Sequence, residues 1–429
     1  MKMVTKAWPI YMIKRYLSSN LKVLPNNINL LGSSYTRDDY TNVTDRIAAL
    51  IGRNLHLQKC HPLNLVQQRI VNYFYKTFVN SRQNPQFSVF NNLSPIVSVT
   101  QNFDSLLIPE NHPSRAKSDC YYINREYLLR AHMTAHQSEL LLAGLNDFLM
   151  IGDVYRRDEI DRTHYPVFHQ LDAVRLRTRD NLFPDGKLEL FESGNNTSYI
   201  GAQEKQPCHT LTAVKLMEQE LKSTLEGLAI CLFGNVQFRW VDTQFPFTQP
   251  SWELEVFYKD DWLELLGCGI MKQAILTNSG VTDRIGWAFG LGLERVAMCL
   301  YQIPDIRLFW SKDSGFLSQF KVFSVDENIK YKEISQFPQC TNDISFWLPN
   351  NDQEFSNNDF YDLVRSIGGD MVEQVQLIDN FIHPKTKKTS HCYRIIYRHM
   401  HKTLTQAEVN VLHAKISETA RQKLGILIR

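Results

Sequence analysis

Apolar residues recur at three- and four-residue steps in three long stretches of the chain, which is the spacing of one face of an α-helix. The stretches are 62–80, 125–149 and 209–232. In the last of them the apolar stripe runs from Leu211 to Leu232. The pattern therefore predicts three long helices.

Shorter apolar runs, several of them alternating, lie around these helices and are typical of β-strands. They cover 150–156, 167–177, 236–242, 252–258 and 261–270. The last four runs follow one another with a single helix among them, instead of alternating regularly with helices. That order favours an antiparallel sheet in an α+β fold over a doubly wound fold.

The C-terminal part of the chain has a compact pattern of its own. It predicts, in order, strand 341–348, helix 358–366, strands near 371–382 and 391–398, helix 405–423 and a short strand 425–428. This β-α-β-β-α-β order is that of a ferredoxin-like domain. The preceding segment, 311–337, has weak periodicity and mixed charge and is predicted to be a linker. The expected domains are therefore 38–310 and 338–429.

The composition is that of an ordinary globular protein, because 43% of the 429 residues are hydrophobic and 21% are charged. Long disorder, collagen-like structure and coiled coil are thereby excluded. Lys and Arg number 47 and Asp and Glu 45, so the net charge of +2 argues neither for nor against a nucleic-acid partner. The eight cysteines form no C-x-x-C pair, which leaves a zinc ribbon unsupported, and no apolar run has the length of a membrane span.

The first 37 residues are basic and contain no acid. They hold six Lys or Arg, from Lys2 to Arg37, with apolar residues between them, and the first acid is Asp38. A basic, serine-containing, amphipathic segment of this kind is typical of an organelle transit peptide. The alternative is a basic arm that stays on the protein.

A dense polar segment, 153–174, lies between two of the strand patterns. Arg156 stands near its start, and strand alternation places Phe168, Gln170 and Asp172 on one face. A ring, an amide and a carboxylate on one face suit a nucleobase beside a small ligand that carries an ammonium group. The alternative interpretation is a charged hairpin loop.

The segment GLGLER (290–295) indicates a junction of strand, glycine turn and helix that presents Arg295. It lacks the third glycine of a dinucleotide-binding fingerprint, because that position is the arginine. A guanidinium held there can bind a phosphate or lie on an aromatic base. The alternative is a structural turn with a surface arginine.

Two histidines, His132 and His136, have the i, i+4 spacing of metal ligands. No Glu follows the first histidine and no third ligand is evident, so a zinc site is not favoured. We instead expect Thr134, His136 and Gln137 to offer hydrogen bonds to a ligand. In FPFTQP (245–250), Phe245 and Phe247 share a face and are either a sandwich for an aromatic ligand or part of the core.

Taken together and in this order, these segments resemble the three signature motifs of class II aminoacyl-tRNA synthetases. The most similar type is the single-chain mitochondrial phenylalanyl-tRNA synthetase. The residues that carry the resemblance are HPSR (112–115), YRRDEIDRTHYPVFHQLD (155–172), FPFTQPSWE (245–253), LELLGCG (263–269), GWAFGLGLERVAM (286–298), DISFWLP (343–349), NDFYDLVR (358–365) and HCYRIIYRHM (391–400). The resemblance runs from about residue 60 to the C-terminus.

The resemblance implies an α+β protein with a class II antiparallel sheet flanked by helices and a ferredoxin-like anticodon-binding domain. It implies ATP-dependent attachment of phenylalanine to tRNA(Phe) through a phenylalanyl-adenylate, with Mg²⁺ accompanying the ATP. The expected location is the mitochondrial matrix, after removal of a transit peptide at 1–37. A monomer is expected, without a structural metal or a membrane partner. The alternatives are a catalytically inactive, synthetase-like RNA-binding protein and a class II synthetase for another amino acid.

The same resemblance gives roles to individual residues. Arg156 and Arg295 match the catalytic cations that bind the α-phosphate and the terminal phosphate. Phe168 matches the ring that stacks on adenine, Glu264 lies in the position of an acid on the nucleotide and Mg²⁺ side, and Pro95 matches the proline of the first motif. Residues matched to phenylalanine or its adenylate are Thr134, Ala135, His136, Gln137, Arg156, Thr163, His164, Tyr165, Gln170, Leu171, Asp172, Phe245, Phe247, Glu264, Ala288 and Phe289.

The end of the chain is locally basic. From Lys385 to Arg429 there are ten Lys or Arg and two acids, which indicates a face that follows a phosphate backbone. The residues expected to bind tRNA are Lys385, Lys387, Lys388, Arg394, Arg398 and Lys402. Tyr393 and Tyr397 are expected to stack on unpaired anticodon bases. The 311–337 linker would let this domain swing between tRNA-free and tRNA-bound positions.

Overall fold

The computed structural model describes residues 26–193, 198–258, 260–312, 314–333, 337–349, 355–399 and 402–429. The strands are β1 (Asn27–Leu30), β2 (Ser33–Thr36), β3 (Ser88–Phe90), β4 (Ile96–Ser98), β5 (Tyr127–Leu129), β6 (Asp147–Tyr155), β7 (Val167–Thr178), β8 (Tyr199–Ile200), β9 (Gln203–Glu204), β10 (Phe238–Phe245), β11 (Thr248–Tyr258), β12 (Asp261–Met271), β13 (Arg284–Gly292), β14 (Cys340–Trp347), β15 (Val372–Ile382), β16 (Thr389–Tyr397) and β17 (Leu427–Ile428). The helices are α1 (Asp45–Ala48), α2 (Pro62–Thr77), α3 (Val99–Asn102), α4 (Gln137–Leu142), α5 (Arg179–Leu182), α6 (Leu211–Phe233), α7 (Gln273–Asn278), α8 (Leu293–Tyr301), α9 (Ser314–Ser318), α10 (Asn357–Gly368) and α11 (Gln406–Leu424).

A seven-stranded sheet forms the centre of the larger domain, in the order β10-β11-β12-β13-β7-β6-β3. Its neighbouring strands are antiparallel except for the last pair, β3 and β6, which is parallel. The prediction of an antiparallel α+β sheet is therefore confirmed for all but one edge. Helices α2, α6 and α8 pack on one face, and the other face carries the cavity described below.

Two predicted helices form for reasons visible in their termini. Pro62 begins α2, and the ring of His61 accepts a hydrogen bond from the amide of Leu63. The hydroxyl of Thr210 caps α6 in the same way, and Gly234, with φ of 74°, ends it. The apolar stripes of both helices are buried in the main core.

The third predicted helix, 125–149, is wrong over most of its length. The stretch contains strand β5, a 3₁₀ turn at Met133–His136, the short helix α4 and the start of β6. Most of its apolar side chains are buried, but Tyr127 and Leu142 are exposed. A largely buried stretch does not distinguish a helical from a strand period, and length alone was misleading.

The N-terminal boundary also differs from the expectation. Residues 1–25 of the predicted transit peptide lie outside the described part of the chain, but 26–37 contains the β1–β2 hairpin. Ile28 and Leu30 of this hairpin are buried in the main core. The end of the predicted segment therefore belongs to the folded catalytic domain.

Much of the predicted linker 311–337 packs on the larger domain. Phe316 and Phe320 are fully buried in its core, and Tyr331 contacts the same cluster. The guanidinium of Arg69 donates hydrogen bonds to the carbonyls of Val325 and Glu327. If the C-terminal domain swings, the pivot would therefore have to lie near the end of the linker, close to the C-terminal domain itself.

The C-terminal domain has the expected β-α-β-β-α-β order, with a four-stranded antiparallel sheet β15-β16-β14-β17. Helices α10 and α11 cover one face of this sheet, where Ile344, Phe346 and Ile395 are buried. The predicted ferredoxin-like arrangement is confirmed. Among the described residues, we find no helix with both the length and the apolarity of a membrane span.

The two domains are in contact through buried polar groups. The hydroxyl of Tyr121 donates a 2.9 Å hydrogen bond to Asp362, and Arg157 lies 3.4 Å from the same carboxylate. Arg365 donates to the backbone carbonyls of Asp158 and Glu159. The C-terminal domain therefore rests on the segment that carries the first predicted catalytic arginine.

Candidate active site

A cavity of about 590 Å³ lies over the sheet face opposite α2, α6 and α8. Its walls come from β7, β12 and β13, from the β10–β11 turn, and from the segments around 131–137 and 156–158. The predicted site residues among its lining are Thr134, Gln137, Arg156, Gln170, Asp172, Phe245, Phe247, Glu264, Ala288 and Phe289. Residues far apart in the sequence thus converge on one space.

One wall of the cavity offers hydrogen-bonding groups for a polar head group. The hydroxyl of Thr134 donates a 2.6 Å hydrogen bond to Asp172, and the Gln170 side chain accepts one of 3.3 Å from the amide of Met133. Burial raises the pKa of Asp172 to about 6. Gly290 lies opposite Asp172 on the neighbouring strand, and a Cβ there would come within 2.7 Å of its carboxylate oxygen. The glycine therefore leaves the room that the carboxylate occupies.

The β10–β11 turn places two parallel rings at another wall. The ring centroids of Phe245 and Phe247 are 5.8 Å apart and their planes differ by 2°. A Cβ on Gly267 would lie 2.7 Å from the Phe245 ring, so this glycine lets the ring lie directly on β12. Ala288, the small residue on β13, lines the same cavity. The resulting apolar slot suits a flat hydrocarbon ring.

Arg156 lies in the cavity wall beside Phe168. Its Nε donates a 2.8 Å hydrogen bond to the carbonyl of Ala131, and its guanidinium carbon lies 5.3 Å from the centroid of the Phe168 ring. Burial lowers the pKa of this arginine, while the nearby charges of Asp158, Asp172 and Glu264 act in the opposite direction. The side chain is thus a fixed cation with a ring beside it.

The second predicted cation, Arg295, is held at the rim by Glu264. Its guanidinium donates a 2.9 Å hydrogen bond to the Glu264 carbonyl and lies 3.3 Å from the carboxylate. Both side chains are about half exposed. The Glu264 carboxylate thus pairs with Arg295 and also lines the cavity that contains Arg156. An anion can approach Arg295 from solvent and still reach the cavity.

Some predicted ligand residues have side chains that point away from the cavity. Leu171 and the ring of Phe289 face the helix-covered side of the sheet, because strand alternation turns them away from Asp172 and Ala288. The Phe289 ring stacks on Phe74 with centroids 5.8 Å apart, so only its backbone is available to the cavity.

Of the four predicted ligand residues at 134–137, two line the cavity and two do not. Thr134 and Gln137 line the cavity, whereas Ala135 is buried in a separate apolar cluster. His136 is buried, bonds to Glu139 at 2.6 Å and accepts from Arg130 at 2.9 Å. Its ring therefore supports the cavity wall and does not face the ligand.

Thr163, His164 and Tyr165 lie on the loop between β6 and β7, away from the cavity lining. Thr163 and His164 both bond to Asp161, and the hydroxyl of Tyr165 donates to Asp370 of the C-terminal domain at 3.1 Å. The match to the family motif that placed them near the ligand did not reveal that the loop meets the other domain.

One group among the described residues has its ligand atoms close enough for a metal ion. It consists of Glu159, Asp161 and His164, whose atoms lie within 4.8 Å of one another. The hydrogen bond to Asp161 raises the pKa of His164, which favours a protonated ring in an ion pair. Of the cavity residues, Glu264 has the exposed carboxylate that could accompany a nucleotide-bound Mg²⁺.

Several cavity residues carried no assignment from the sequence. His132 lines the cavity, and burial lowers its pKa to about 3, so the ring is neutral. Asn358 reaches the cavity from α10 and donates to the carbonyl of Ser118 and to Asp119, both at 3.2 Å. In the sequence, His132 was recognisable only as a possible metal ligand. The contribution of Asn358 from the C-terminal domain has no recognisable signal in the sequence.

The predicted tRNA-binding residues differ in their environment. Lys385, Lys387 and Lys388 are exposed on the β15–β16 hairpin, without an ion pair among the described residues. The other three cations lie beside carboxylates: Arg394 beside Asp343, Arg398 beside Glu373 and Lys402 beside Glu408.

The predicted stacking of Tyr393 and Tyr397 on anticodon bases is wrong. Both rings are fully buried on the helix-covered face of the C-terminal sheet. Their hydroxyls are bonded inside the domain, to Asn357 at 2.6 Å and His413 at 2.9 Å. They share a strand face with the buried Ile395, so they form core instead of a binding surface.

Comparison with known proteins agrees with this architecture. The family model described as tRNA synthetases class II core domain (F) matches residues 47–189 and 211–320, and that of the ferredoxin-fold anticodon binding domain matches 335–429. A probable mitochondrial phenylalanine–tRNA ligase of Drosophila melanogaster is 59% identical over 94% of this chain and 93% of its own length. The mitochondrial phenylalanine–tRNA ligases of Mus musculus and Saccharomyces cerevisiae are 54% and 38% identical, over 93% and 96% of this chain and 88% and 97% of their own lengths. The chain therefore belongs to the phenylalanine–tRNA ligases of class II, with the catalytic core and the anticodon-binding domain on one polypeptide.

Proposed function

We propose that the cavity joins phenylalanine to ATP and then transfers it to the 3′ end of tRNA(Phe). Attachment of phenylalanine to tRNA is the activity of the family, and the close relatives are named mitochondrial, so the protein serves mitochondrial translation. Transit-peptide removal, action in the matrix and a monomeric state are parts of the proposal that the N-terminal composition and the resemblance support.

One observation carries the proposal: an apolar slot and a carboxylate lie in the same cavity as a fixed cation. The phenyl ring would enter between Phe247 and Ala288, and the ammonium group would pair with Asp172. That position brings the substrate carboxylate toward Arg156. ATP would lie with its adenine at Phe168 and its phosphates between Arg156 and Arg295, with Mg²⁺ and Glu264 at the exposed side.

In the first step, a carboxylate oxygen of phenylalanine forms a bond to the α-phosphorus of ATP. The bond to the β-phosphate oxygen breaks, and pyrophosphate leaves with the electron pair. A carboxylate is a nucleophile at neutral pH, so no protein base is needed. Arg156 and Arg295 hold the phenylalanine carboxylate next to the ATP phosphates and stabilise the charge of the transition state.

In the second step, a ribose hydroxyl of the tRNA attacks the adenylate carbonyl, and its proton passes to the departing phosphate or to water. The bond between the carbonyl carbon and the phosphate oxygen breaks, and AMP leaves with the electron pair. The family uses the 2′-hydroxyl. The exposed lysines of the β15–β16 hairpin support a tRNA contact by the C-terminal domain. We expect incomplete rejection of tyrosine, because an apolar pocket discriminates against an added hydroxyl by only about 10²-fold.

Exchange of pyrophosphate into ATP, measured with each of the twenty amino acids, tests the proposal. We expect exchange that depends on phenylalanine, with a weaker response to tyrosine. Exchange with a different amino acid would reject the assigned substrate. Absence of exchange would support the inactive RNA-binding alternative, which Arg156 in the cavity and Arg295 at its rim do not favour.

A further inference from the structure

The buried carboxylate of Glu294 makes two contacts with a single residue of β7. Its Oε2 accepts a 2.7 Å hydrogen bond from the backbone amide of His169, and its Oε1 lies 2.7 Å from Nδ1 of the same histidine. The Glu294 side chain is 3% exposed and that of His169 is fully buried. The rings of His56 and Trp310 lie 5.1 and 6.0 Å from the His169 ring, centroid to centroid, and restrict its movement. We call this two-point contact the Glu294–His169 clamp.

The clamp lies where the pairing of β7 with β13 ends. The last pair of that ladder joins Gln170 to Gly292, and α8 begins directly after this glycine. The Glu294 carboxylate thus takes the place of a strand partner for the amide of His169, one residue beyond the ladder. A buried amide without a partner would be unfavourable. On its other edge β7 remains paired with β6, so only the side toward α8 depends on the clamp.

Each member of the clamp is next in sequence to a residue assigned to ATP. Phe168, assigned to the adenine, precedes His169, and Arg295, assigned to the phosphates, follows Glu294. Strand alternation turns the rings of Phe168 and His169 to opposite faces of the sheet, so the clamp holds β7 from behind the cavity wall. The clamp therefore fixes the strand that carries the ring relative to the helix that carries the guanidinium.

We propose that Glu294 is a positioning residue for ATP, which sets the separation between the Phe168 ring and the Arg295 guanidinium. The inference rests on the proposed function and deepens it, because it assigns the alignment of ATP to a side chain that touches no substrate. Its effect passes through the clamp to the two neighbouring groups. Such alignment matters because catalysis by positioning requires the reacting groups to be held in one geometry.

The groups assigned to phenylalanine do not need the clamp. Gln170 and Asp172 lie within the β7–β13 ladder, opposite Gly292 and Gly290, and Asp172 is also bonded to Thr134. Loss of the clamp should therefore weaken the binding of ATP and leave the binding of phenylalanine unchanged. A general weakening of the fold would not separate the two substrates in this way.

The test uses the full-length protein with three substitutions at Glu294. Glu294→Ala removes both contacts. Glu294→Gln keeps the side-chain length and both contacts, because its amide oxygen can accept from the backbone and its amide nitrogen can donate to Nδ1 of the ring. Glu294→Asp keeps the charge but is one methylene shorter, so it does not reach both atoms. The matched control is Tyr73→Phe, which removes a 2.8 Å hydrogen bond to the Thr224 carbonyl between α2 and α6.

Calorimetry measures the binding of ATP and of phenylalanine to the substrate-free protein separately, and pyrophosphate exchange gives kcat. We expect Glu294→Ala and Glu294→Asp to bind ATP about ten-fold more weakly and to lose about 10²-fold in kcat, since a displacement of about 1 Å has effects of that size. Glu294→Gln and Tyr73→Phe should bind ATP like the unaltered protein. All four variants should bind phenylalanine equally well.

Unchanged ATP affinity in Glu294→Ala would overturn the positioning role. Equal losses for ATP and phenylalanine would show a damaged cavity and would overturn it as well. ATP affinity that is kept by Glu294→Asp and lost by Glu294→Gln would show that the charge matters and the alignment does not. Absence of phenylalanine-dependent exchange from the unaltered protein would reject the proposed function separately, while the ATP affinities would still test the clamp.

Discussion

The hydroxyl of Thr134 donates a 2.6 Å hydrogen bond to Oδ2 of Asp172, and both side chains are buried in the cavity wall. Burial raises the pKa of Asp172 to about 6, while the bond from Thr134 acts in the opposite direction. The carboxylate proposed to pair with the substrate ammonium therefore changes charge just below neutral pH.

The first prediction concerns this titration. The substrate-free protein holds a proton on Asp172 below about pH 6, and a bound ammonium favours the charged carboxylate. Phenylalanine should therefore bind with full affinity above about pH 6, and the affinity should fall as the pH decreases through that value. We expect kcat/KM for phenylalanine in pyrophosphate exchange to fall with an apparent pKa of about 6, because this ratio reports groups of the free enzyme.

The Asp172→Asn variant provides the control for the pH profile. It should have low activity at every pH and no inflection near 6, since the titrating group is gone. An unaltered protein with a flat profile through this range would remove Asp172 from recognition of the ammonium group.

The second prediction concerns Arg156, the cation beside Phe168. Arg156→Lys keeps a positive charge but loses the planar guanidinium that spans the Ala131 carbonyl and the phosphate position. We expect kcat of exchange to fall by about 10²–10³, the usual effect of removing one transition-state donor, with an unchanged melting temperature. Arg239→Lys, an exposed surface change beside Glu255, is the control and should exchange pyrophosphate as fast as the unaltered protein. Full activity of Arg156→Lys would exclude the proposed phosphate contact.

The third prediction concerns the phenyl slot. Ala288→Val adds two carbons to a small residue on the cavity wall. Overpacking of this size costs about 1–3 kcal/mol, so kcat/KM for phenylalanine should fall about ten-fold or more. KM for ATP should stay the same, because Ala288 lies away from the Arg156–Phe168 pair in our assignment. A variant with unchanged phenylalanine kinetics would place the ring elsewhere.

The outcome for these residues shows what a sequence pattern can and cannot specify. Strands β7 and β12 were predicted from short apolar runs, and a strand at β13 was expected only from its junction with a glycine turn. Strand alternation correctly put Gln170 and Asp172 on one face. Leu171, the residue between them, follows the same rule and points to the core. Its inclusion among the ligands came from its place in the motif and not from its side-chain direction.

The remaining errors have a common physical origin, which is that one sequence does not reveal what covers a surface. Tyr393 and Tyr397 alternate with Ile395 and belong to a buried face, but only the packing of α10 and α11 shows which face that is. Thr163 and Tyr165 lie on a loop whose partner is the other domain. The contribution of Asn358 to the cavity depends on the same contact between domains.

The fourth prediction concerns the exposed lysines. Replacing Lys385, Lys387 and Lys388 by Ala together removes three cations without breaking an ion pair among the described residues. Each phosphate contact contributes a slope of roughly 0.7 to the logarithmic dependence of single-strand RNA affinity on salt. We expect the slope for tRNA binding to decrease by about 2. An unchanged slope would mean that the hairpin does not meet the phosphate backbone.

The last prediction concerns the contact between domains. Asp362 accepts from Tyr121 and lies 3.4 Å from Arg157 and 3.8 Å from Arg365, so it compensates two buried cations. In Asp362→Ala those cations remain without this partner, and burying them costs several kcal/mol. The domains should therefore separate, giving a larger radius of gyration in small-angle scattering without tRNA. Asp343→Ala, whose exposed partner is Arg394, is the control and should scatter like the unaltered protein.

The same scattering experiment tests whether tRNA binding requires this separation. If the C-terminal domain swings, tRNA should change the arrangement of the domains in the unaltered protein more than in Asp362→Ala, where the contact is already weakened. Contrast matching of the RNA keeps its own scattering out of the comparison. Identical protein profiles with and without tRNA would argue against a swing. In that case the contact of Arg157 with the C-terminal domain and that of Arg365 with the catalytic domain would be permanent parts of the catalytic site.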